Sequence, residues 1–409
     1  MKPSFALLAL IVCMGCDSKS KREVPKAAEP PAPAVEVLLW HSYRGAEKEA
    51  IEQVIASFNK AGGPTSLKAL AVPFDALNDK ITAAVPRGHG PDLFIFAHNM
   101  VGPWAESGVV EPISAWAEEG LLDDFLDLTV KSLVYKGNLY GLPLAFKSLA
   151  LFANKALAPE MPTSLDDLVA KAKAARNKAT GVYGLVYDAM KLYNNAPWLH
   201  AFGARIVDDT GMPAFDSAEG AAAVSFARDL MKVHDVIPEE STTYLATTLF
   251  NTGKAAYMLS GPWFLAERAE GLDLAVAPLP TRGERHAAPL MGAEAVMLSA
   301  KSKSKEAAFK AMRYLVSDDA ARTRWKVARQ TVANKAVYED ADVKADPITS
   351  AFRAQLEHTV PMDNSPRMQA IWSEADRALH RAIKGGIDPK VALGEAATKI
   401  RSDLERAGR

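Results

Sequence analysis

The sequence predicts an α/β protein with two domains, and three observations support this prediction. Runs of β-prone residues alternate along the chain with segments of helical periodicity. A short apolar run, Leu93 to Phe96, contains no polar residue, as expected for a strand that is covered on both faces of its sheet. The chain has 409 residues, more than the roughly 250–300 that one hydrophobic core usually serves. The alternation predicts parallel sheets flanked by helices.

The first strand and two of the helices are predicted from their apolar patterns. Residues 35–40 (VEVLLW) form a β-prone run, in which Trp40 is expected to belong to the core. Between Ala46 and Phe58 the apolar residues recur on one helical stripe. The same pattern predicts a later helix that presents Ala308, Ala311, Met312 and Leu315 on one face.

Two more helices are predicted from capping patterns. Thr163 is followed three residues later by Asp166, an arrangement suited to capping the first free amides of a helix. Asp216 and Glu219 have the same spacing, ahead of a stripe of small and apolar residues. Both helices are therefore expected to begin directly after these residues.

The first fifteen residues are predicted to be a signal peptide. Lys2 provides the positive charge typical of the beginning of a signal peptide, and the apolar stretch 5–12 follows it. This stretch is too short for a transmembrane helix, which needs roughly 20 apolar residues. A small residue precedes Cys16, and the whole resembles a bacterial lipoprotein signal with cleavage before Cys16 and lipid on its thiol. The alternative is a redox or metal-binding pair of Cys13 and Cys16.

Residues 16–34 are predicted to be the lipid-anchor cysteine followed by a disordered linker. The stretch is polar and then rich in proline, so it cannot bury enough apolar surface to order itself. Asp17 after Cys16 resembles an inner-membrane retention signal. We therefore expect a periplasmic protein that is attached to a membrane, the inner one, only through its lipid.

Composition excludes several classes of partner. The chain is 49% hydrophobic and 24% charged, as in ordinary soluble proteins, and its formal net charge is −1. No overall field favours nucleic acid or an anionic membrane, and no basic stripe with interleaved aromatics is visible. We expect a monomer that binds no nucleic acid.

Polar residues follow the apolar run of Leu93 to Phe96, which then breaks into Ala97, His98 and Asn99 before a predicted turn at Gly102. In open α/β sheets, ligands bind just beyond the carboxyl ends of the strands. Four segments of the chain are informative together: GPDLFIFAHNMVGPWAESGVVEPI (90–113), LYGLPLAFKSLALFA (139–153), GKAAYMLSGPW (253–263) and MDNSPRMQAIW (362–372). In order and in spacing, they resemble the maltose-binding-protein family of periplasmic solute-binding proteins.

This resemblance, which runs from about Val35 to Ile400, implies a two-lobed periplasmic binding protein of type II. Its lobes would be discontinuous and joined by a hinge of several segments. Residues 35–145 with 293–346 are expected to form the N-terminal lobe, and residues 146–292 with 347–409 the C-terminal lobe.

The resemblance also implies the ligand-binding residues. Trp263 and Trp372 match positions where the family stacks sugar rings, and Phe96 and Tyr193 match two further aromatic positions. An aromatic ring covers the apolar face of a pyranose, while polar groups bind its hydroxyls. The other expected contacts are Tyr43, Arg44, Asn99, Met100, Lys147, Met362 and Asp376.

Several polar positions depart from the maltose-specific pattern. Asn99 and Met100 stand where an acid and an arginine are usual, Lys147 replaces a glutamate, and Asp376 replaces an arginine. The last two changes have opposite sign, and we hypothesise that they compensate one another. These changes make maltose itself doubtful as the ligand and leave a phosphorylated or anionic sugar or polyol as an alternative.

The sequence therefore predicts the substrate-binding component of a carbohydrate ABC transporter, which delivers an oligosaccharide to permease subunits by hinge closure. No catalytic residue, cofactor or metal is expected. The enzyme alternative is a glycosidase that uses two carboxylates, and the nearest acids to the inferred cleft are Glu294, Glu374 and Asp376. His98 is expected to support its loop rather than to catalyse.

Overall fold

The computed structural model of this chain describes residues 34–407. The predicted signal peptide, Cys16 and all of the predicted linker except Ala34 lie outside the described residues. The described residues belong to one compact unit. No helix in the described part of the chain has the length and apolar character needed to cross a membrane.

The structure contains fourteen strands within residues 34–407. Most are short, and only β1, β2 and β13 have seven residues or more. The strands are β1 (Val35–His41), β2 (Thr65–Ala71), β3 (Leu93–Ala97), β4 (Val134–Tyr135), β5 (Asn138–Leu139), β6 (Leu142–Lys147), β7 (Ala150–Asn154), β8 (Tyr183–Val186), β9 (Ala255–Ser260), β10 (Leu274–Ala277), β11 (Thr281–Arg282), β12 (Arg285–His286), β13 (Leu290–Leu298) and β14 (Val360–Pro361).

Fourteen α-helices are described in the same range, together with three short 3-10 turns at His98–Met100, Pro262–Ala266 and Lys335–Glu339. The helices are α1 (Gly45–Lys60), α2 (Phe74–Ala84), α3 (Val101–Glu106), α4 (Asp127–Ser132), α5 (Leu165–Ala175), α6 (Leu192–Phe202), α7 (Ala218–Lys232), α8 (Thr243–Asn251), α9 (Lys305–Leu315), α10 (Asp318–Ala328), α11 (Ala341–Ala345), α12 (Pro347–Leu356), α13 (Pro366–Ile383) and α14 (Pro389–Ala407).

The first sheet has the order β14-β13-β3-β1-β2, and β6 also pairs with β13. Strand β1 is parallel to both β2 and β3. Strand β13 is antiparallel to β3 and β6. Because β1, β2 and β3 are parallel, their carboxyl ends lie at one edge of the sheet, where ligands bind in open α/β folds.

The second sheet has the order β10-β7-β9-β8. Strand β9 is parallel to β8 and antiparallel to β7, and all six residues of β9 are buried. The prediction of parallel sheets is therefore wrong in part, since both sheets are mixed. Strand β13 is the antiparallel partner of β3 in the first sheet and β7 is that of β9 in the second, and local periodicity does not indicate strand direction.

Each sheet has its own hydrophobic core. The core of the first sheet contains buried residues from 37–144 and 295–333, and that of the second contains residues from 149–290 and 368–400. We call these two bodies the first lobe and the second lobe. A smaller cluster, which includes Phe146, Phe152, Met291 and Phe352, lies where the chain passes between them. The predicted boundaries of the lobe segments stay predictions.

The apolar patterns predicted helices more accurately than the capping patterns did. The stripe of α1, with Ile51, Val54 and Ile55, is buried, as is the predicted stripe of α9. The predicted caps were one residue early, because Ser164 caps α5 by accepting a hydrogen bond from the Asp167 amide. Ser217 caps α7 in the same way. The predicted turn at Gly102 lies instead within the short helix α3.

Candidate ligand-binding cleft

The carboxyl-end edge of the first sheet lies against the second lobe. Arg44 follows β1 and its guanidinium pairs with the Glu267 carboxylate, which follows the 3-10 turn after β9. Asn99 follows β3, and its carbonyl accepts a hydrogen bond of 3.2 Å from the Nε2 of Gln369 on α13. The predicted site residues at these strand ends therefore lie where the two lobes meet.

Trp263 lies directly beyond β9, where the chain leaves the second sheet. Its indole ring folds back over Gly261, so that a Cβ added at Gly261 would lie 2.1 Å from the ring. No side chain can occupy that space while the ring keeps its position. The glycine of the Gly-Pro-Trp segment thus determines where the indole lies.

Two other predicted aromatic residues belong to the same lobe. The rings of Tyr193, on α6, and Trp263 have centroids 6.3 Å apart and are tilted by 46°. Trp372 lies on α13, and all three side chains are partly buried against the core of the second lobe. Neither indole is sealed in that core, and their contact with a sugar stays a prediction. Burial raises the pKa of the Tyr193 phenol above its usual value, so this group is a neutral hydrogen-bonding hydroxyl.

Phe96 does not lie open to the cleft. It is 8% exposed and packs between Trp104, at 5.1 Å, and Phe74, at 5.8 Å between ring centroids. Met100 is likewise 8% exposed and belongs to the first core. The expectation that these two side chains contact the ligand is not supported, because strand β3 is covered almost to its end.

Lys147 lies in a buried ion-pair network at the end of β6. Its Nζ is 2.5 Å from the Glu47 carboxylate and 3.8 Å from that of Glu294, and the three side chains are 11–15% exposed. The hydroxyl of Tyr43 donates a hydrogen bond of 2.7 Å to Glu294. Tyr43 itself is 5% exposed. The polar atoms of two predicted ligand contacts, Tyr43 and Lys147, thus bind carboxylates of the protein itself.

The pKa shifts of this network follow from burial and charge. Burial raises the pKa of the Glu294 carboxyl, an effect that the nearby Lys147 ammonium opposes. Burial alone would lower the pKa of Lys147, but the carboxylates of Glu294 and Glu47 raise it above its usual value. The Arg324 guanidinium, 1% exposed, extends the network by donating to Gln330 and to the Leu144 carbonyl.

Asp376 has a structural role in the second lobe. One carboxylate oxygen accepts a hydrogen bond of 2.7 Å from the Leu192 amide at the start of α6, and the other lies 3.0 Å from the Nζ of Lys191. Lys147 pairs with other acids, so the hypothesis that Lys147 and Asp376 compensate one another is wrong. Each charge change has its own local partner.

His98 links strand β13 to the residue that follows β14. Its Nδ1 accepts a hydrogen bond from the Ala293 amide, and its Nε2 donates to the Met362 carbonyl, both at 2.8 Å. The ring is fully buried, and burial lowers its pKa to about 4. The prediction that His98 supports its loop is confirmed. Met362 is partly buried against the second core.

The acids considered for catalysis are occupied by neighbouring groups. Glu374 is 9% exposed and pairs with Lys399 and Arg377 on the α14 side of α13. Glu294 and Asp376 have the partners given above. Within residues 34–407, no group of three or more histidine, cysteine, aspartate or glutamate side chains could hold a metal ion.

Sequence reasoning missed four residues at this edge, namely Glu47, Phe74, Glu267 and Gln369. Phe74 lies three residues beyond the end of β2, as Asn99 lies two residues beyond the end of β3, so the rule for strand ends would have found it. Glu267 and Gln369 carried no such signal, because their contacts depend on how one lobe lies against the other.

Comparisons with known proteins agree with this geometry. Residues 53–351, well over half of the chain, match the family described as bacterial extracellular solute-binding protein. The chain belongs to this family. Its members are substrate-binding proteins, which agrees with a site built for binding.

Relatives and solved structures extend the match to nearly the whole chain. The maltotriose-binding protein of Pyrococcus abyssi is 27% identical over 89% of this chain and 80% of its own length. The maltooligosaccharide ABC transporter solute-binding lipoprotein of Streptococcus pneumoniae is 27% identical over 98% of this chain and 96% of its own. The maltotriose-binding protein of Thermus thermophilus, solved with maltotriose, has 25% identity and a TM-score of 0.80, covering 90% of this chain and 100% of that one.

The fold class of this solute-binding protein is therefore the two-lobed type II class. The two mixed sheets, each with its own core, agree with this class. The prediction of the fold class and that of the family are confirmed.

Proposed function

We propose that this protein is the substrate-binding component of a carbohydrate ABC transporter and captures a neutral oligosaccharide of the maltodextrin type. The observation that carries the proposal is the group of partly exposed rings of Tyr193, Trp263 and Trp372 on one lobe. This group belongs to the lobe that meets the strand ends bearing Arg44 and Asn99. The relatives named for maltotriose and maltooligosaccharides support the same ligand class.

Aromatic rings suit a sugar because its two surfaces differ. The C–H face of a pyranose is apolar, whereas its rim carries hydroxyls. Covering about 60 Å² of such a face on each of two rings contributes about 3 kcal/mol, at roughly 25 cal/mol per Å². The hydroxyls of the sugar then determine its orientation in the site, because a buried donor without an acceptor costs about 1–3 kcal/mol.

A neutral ligand is favoured over a phosphorylated or anionic sugar by the pairing of the nearby cations. Arg44 pairs with Glu267, and Lys147 pairs with Glu47 and Glu294. An anionic ligand would have to displace a carboxylate from one of these cations. Breaking the buried pairs of Lys147 would leave an uncompensated charge, which is costly.

The proposed mechanism is hinge closure without chemistry. A sugar held between the lobes stabilises the closed form because it contacts both lobes only in that form. The pairing of Glu294, Glu374 and Asp376 with neighbouring groups supports a binder rather than a glycosidase. Small-angle scattering should report compaction on adding ligand, and an unchanged profile at saturating sugar would contradict closure.

The proposal extends to permease subunits as partners and to attachment through lipid on Cys16. The Streptococcus pneumoniae relative, which is named as a lipoprotein of an ABC transporter, supports both. A Cys16→Ser variant should lose its partition into membranes. Retention of that variant in the membrane fraction would refute the lipid assignment.

Isothermal titration calorimetry with a sugar panel tests the proposal. The panel contains maltose, maltotriose, maltotetraose, trehalose and glucose 6-phosphate. We expect saturable binding of a maltooligosaccharide, with a loss of tenfold or more in Trp263→Ala and in Trp372→Ala.

Trp116→Ala is the matched control, because Trp116 is a partly buried indole that packs on Phe309 of α9 in the first lobe. This variant should bind as the parent does. Binding of glucose 6-phosphate alone would favour the anionic alternative, and no binding to any member of the panel would contradict the proposal.

A further inference from the structure

Phe74 is an exposed aromatic residue at the same sheet edge as the candidate cleft. Its side chain is 62% exposed, and it is the first residue of α2, three residues beyond the end of β2. Among the described residues, Phe74 and Tyr244 are the aromatic members of the set of exposed large hydrophobic side chains. Single exposed apolar side chains are common, so exposure by itself indicates nothing.

The orientation of the ring supplies the second observation. The rings of Phe74 and Phe96 are nearly parallel, with an interplanar angle of 4° and centroids 5.8 Å apart. Phe96 in turn packs against Trp104 at 5.1 Å, and both are buried. One face of Phe74 is thus held against the core while the ring remains mostly in solvent. A flat apolar surface held in place in this way is what a pyranose face stacks upon.

The position of β2 in the sheet determines which part of a bound oligosaccharide Phe74 could contact. Strand β2 is the edge strand, and three inter-strand steps separate it from β13, which pairs with β6 at the Lys147 end. At about 4.8 Å per step this distance is about 14 Å. A glycosyl unit in an extended oligosaccharide is about as long as one such step. A ligand that spans this edge of the sheet from β13 to Phe74 is therefore about three units long.

We infer that Phe74 is an additional stacking surface at the far end of the cleft and makes the protein selective for oligosaccharides of about three or more units. This inference rests on the proposed function. It assigns to Phe74 the contact on the first lobe that the sequence suggested for Phe96. The buried Phe96 becomes the positioning residue, since it holds the Phe74 ring flat.

Calorimetry with maltose, maltotriose and maltotetraose on matched variants tests this inference. Covering about 60 Å² of one sugar face corresponds to roughly tenfold in affinity. Phe74→Ala should therefore weaken maltotetraose binding about tenfold and leave maltose binding unchanged. Phe74→Trp should keep or strengthen maltotetraose binding, because it retains a flat ring.

Two further variants distinguish the loss of ring stacking from a loss of stability and from the loss of an exposed apolar side chain in general. Phe74→Leu keeps an apolar side chain over Phe96 but has no flat face. Its maltotetraose affinity should therefore fall by nearly as much as that of Phe74→Ala, while its thermal stability stays unchanged. Val233→Ala truncates a side chain that is 68% exposed at the end of α7 and should change nothing.

Two outcomes would overturn the inference while leaving the proposed function intact. One is an equal loss for maltose and maltotetraose in Phe74→Ala, and the other is no loss for either sugar. In the second case, impaired uptake in cells would indicate that Phe74 contacts the permease instead. If the parent protein binds no sugar, the proposed function fails and the assignment of Phe74 fails with it.

Discussion

The Arg44 guanidinium pairs with the Glu267 carboxylate, and this ion pair joins the first lobe to the turn that carries Trp263. Arg44 immediately precedes α1, whereas Glu267 immediately follows the 3-10 turn Pro262–Ala266. The pair requires the two lobes to be close, so it stabilises a closed arrangement and adds nothing to an open one. The guanidinium of Arg44, which the sequence predicted as a ligand contact, is thus paired with a carboxylate of the other lobe.

Removing the charge of Glu267 should weaken ligand binding slightly. The Arg44 side chain is 71% exposed, and exposed pairs contribute only about 0.2–1 kcal/mol. We therefore expect Glu267→Gln to raise the Kd for maltotriose by about two- to fivefold at low ionic strength. The difference should shrink as salt screens the pair.

Calorimetry at two salt concentrations measures this effect. Glu118→Gln is the control, because Glu118 forms an exposed pair with Arg313 in the first lobe. Equal affinities of Glu267→Gln and the parent at low salt would show that the pair does not contribute to closure.

Lys147→Met should destabilise the protein strongly. It leaves the carboxylates of Glu47 and Glu294 near one another without their cation, and breaking a buried pair typically costs about 3–5 kcal/mol. The double variant Lys147→Met with Glu294→Gln removes one of the two charges and should regain part of that loss. Urea unfolding of the parent, both single variants and the double variant measures the coupling. Additive free energies of unfolding would contradict a shared network.

His98 should make stability fall as the solution is acidified. Its pKa is about 4 in the fold and 6.5 as the ordinary value, so between these pH values the unfolded chain binds a proton that the folded chain does not. Its contribution is fully present above pH 6.5 and is lost as the pH falls toward 4. The full effect is about 3 kcal/mol, of which about 2 kcal/mol is lost between pH 6.5 and pH 5.

The pH dependence of chemical unfolding tests the role of His98. A His98→Gln variant should be less stable at neutral pH but should lose less stability than the parent between pH 6.5 and pH 5. His89→Gln, at an exposed loop position, should keep the slope of the parent. Nitrogen NMR should also find the proton on Nε2 at pH 6, and a proton on both ring nitrogens there would contradict the buried neutral form.

Gly261→Ala should reduce sugar binding without removing any aromatic ring. The added Cβ would lie 2.1 Å from the Trp263 ring, so the ring must move. We expect at least a tenfold loss of maltotriose affinity, together with altered tryptophan fluorescence. Gly394→Ala is the control, since a Cβ there meets open space. This control should bind as the parent does and be slightly more stable, because alanine favours a helix over glycine by about 0.5–1 kcal/mol.

The sequence predicted local structure well where a pattern depends on short-range periodicity. The stripe of α1 and the apolar run of β3 were predicted correctly because burial of one helix face, or of both strand faces, is visible within a few residues. The caps of α5 and α7 were predicted one residue early, since neighbouring Ser, Thr and Asp residues are all competent caps. The structure decides among them by which hydroxyl reaches a free amide.

The sequence by itself determined the family, the α/β class and the aromatic residues Trp263 and Trp372, because these follow from motifs and spacings along the chain. Only the tertiary structure decided the partners of the polar residues. Lys147 pairs with Glu47 and Glu294, and Asp376 with Lys191, rather than with one another. The reason is distance: an ion pair acts over a few ångströms, whereas these partners lie up to 185 positions apart in the chain, and they come close only when the lobes have folded.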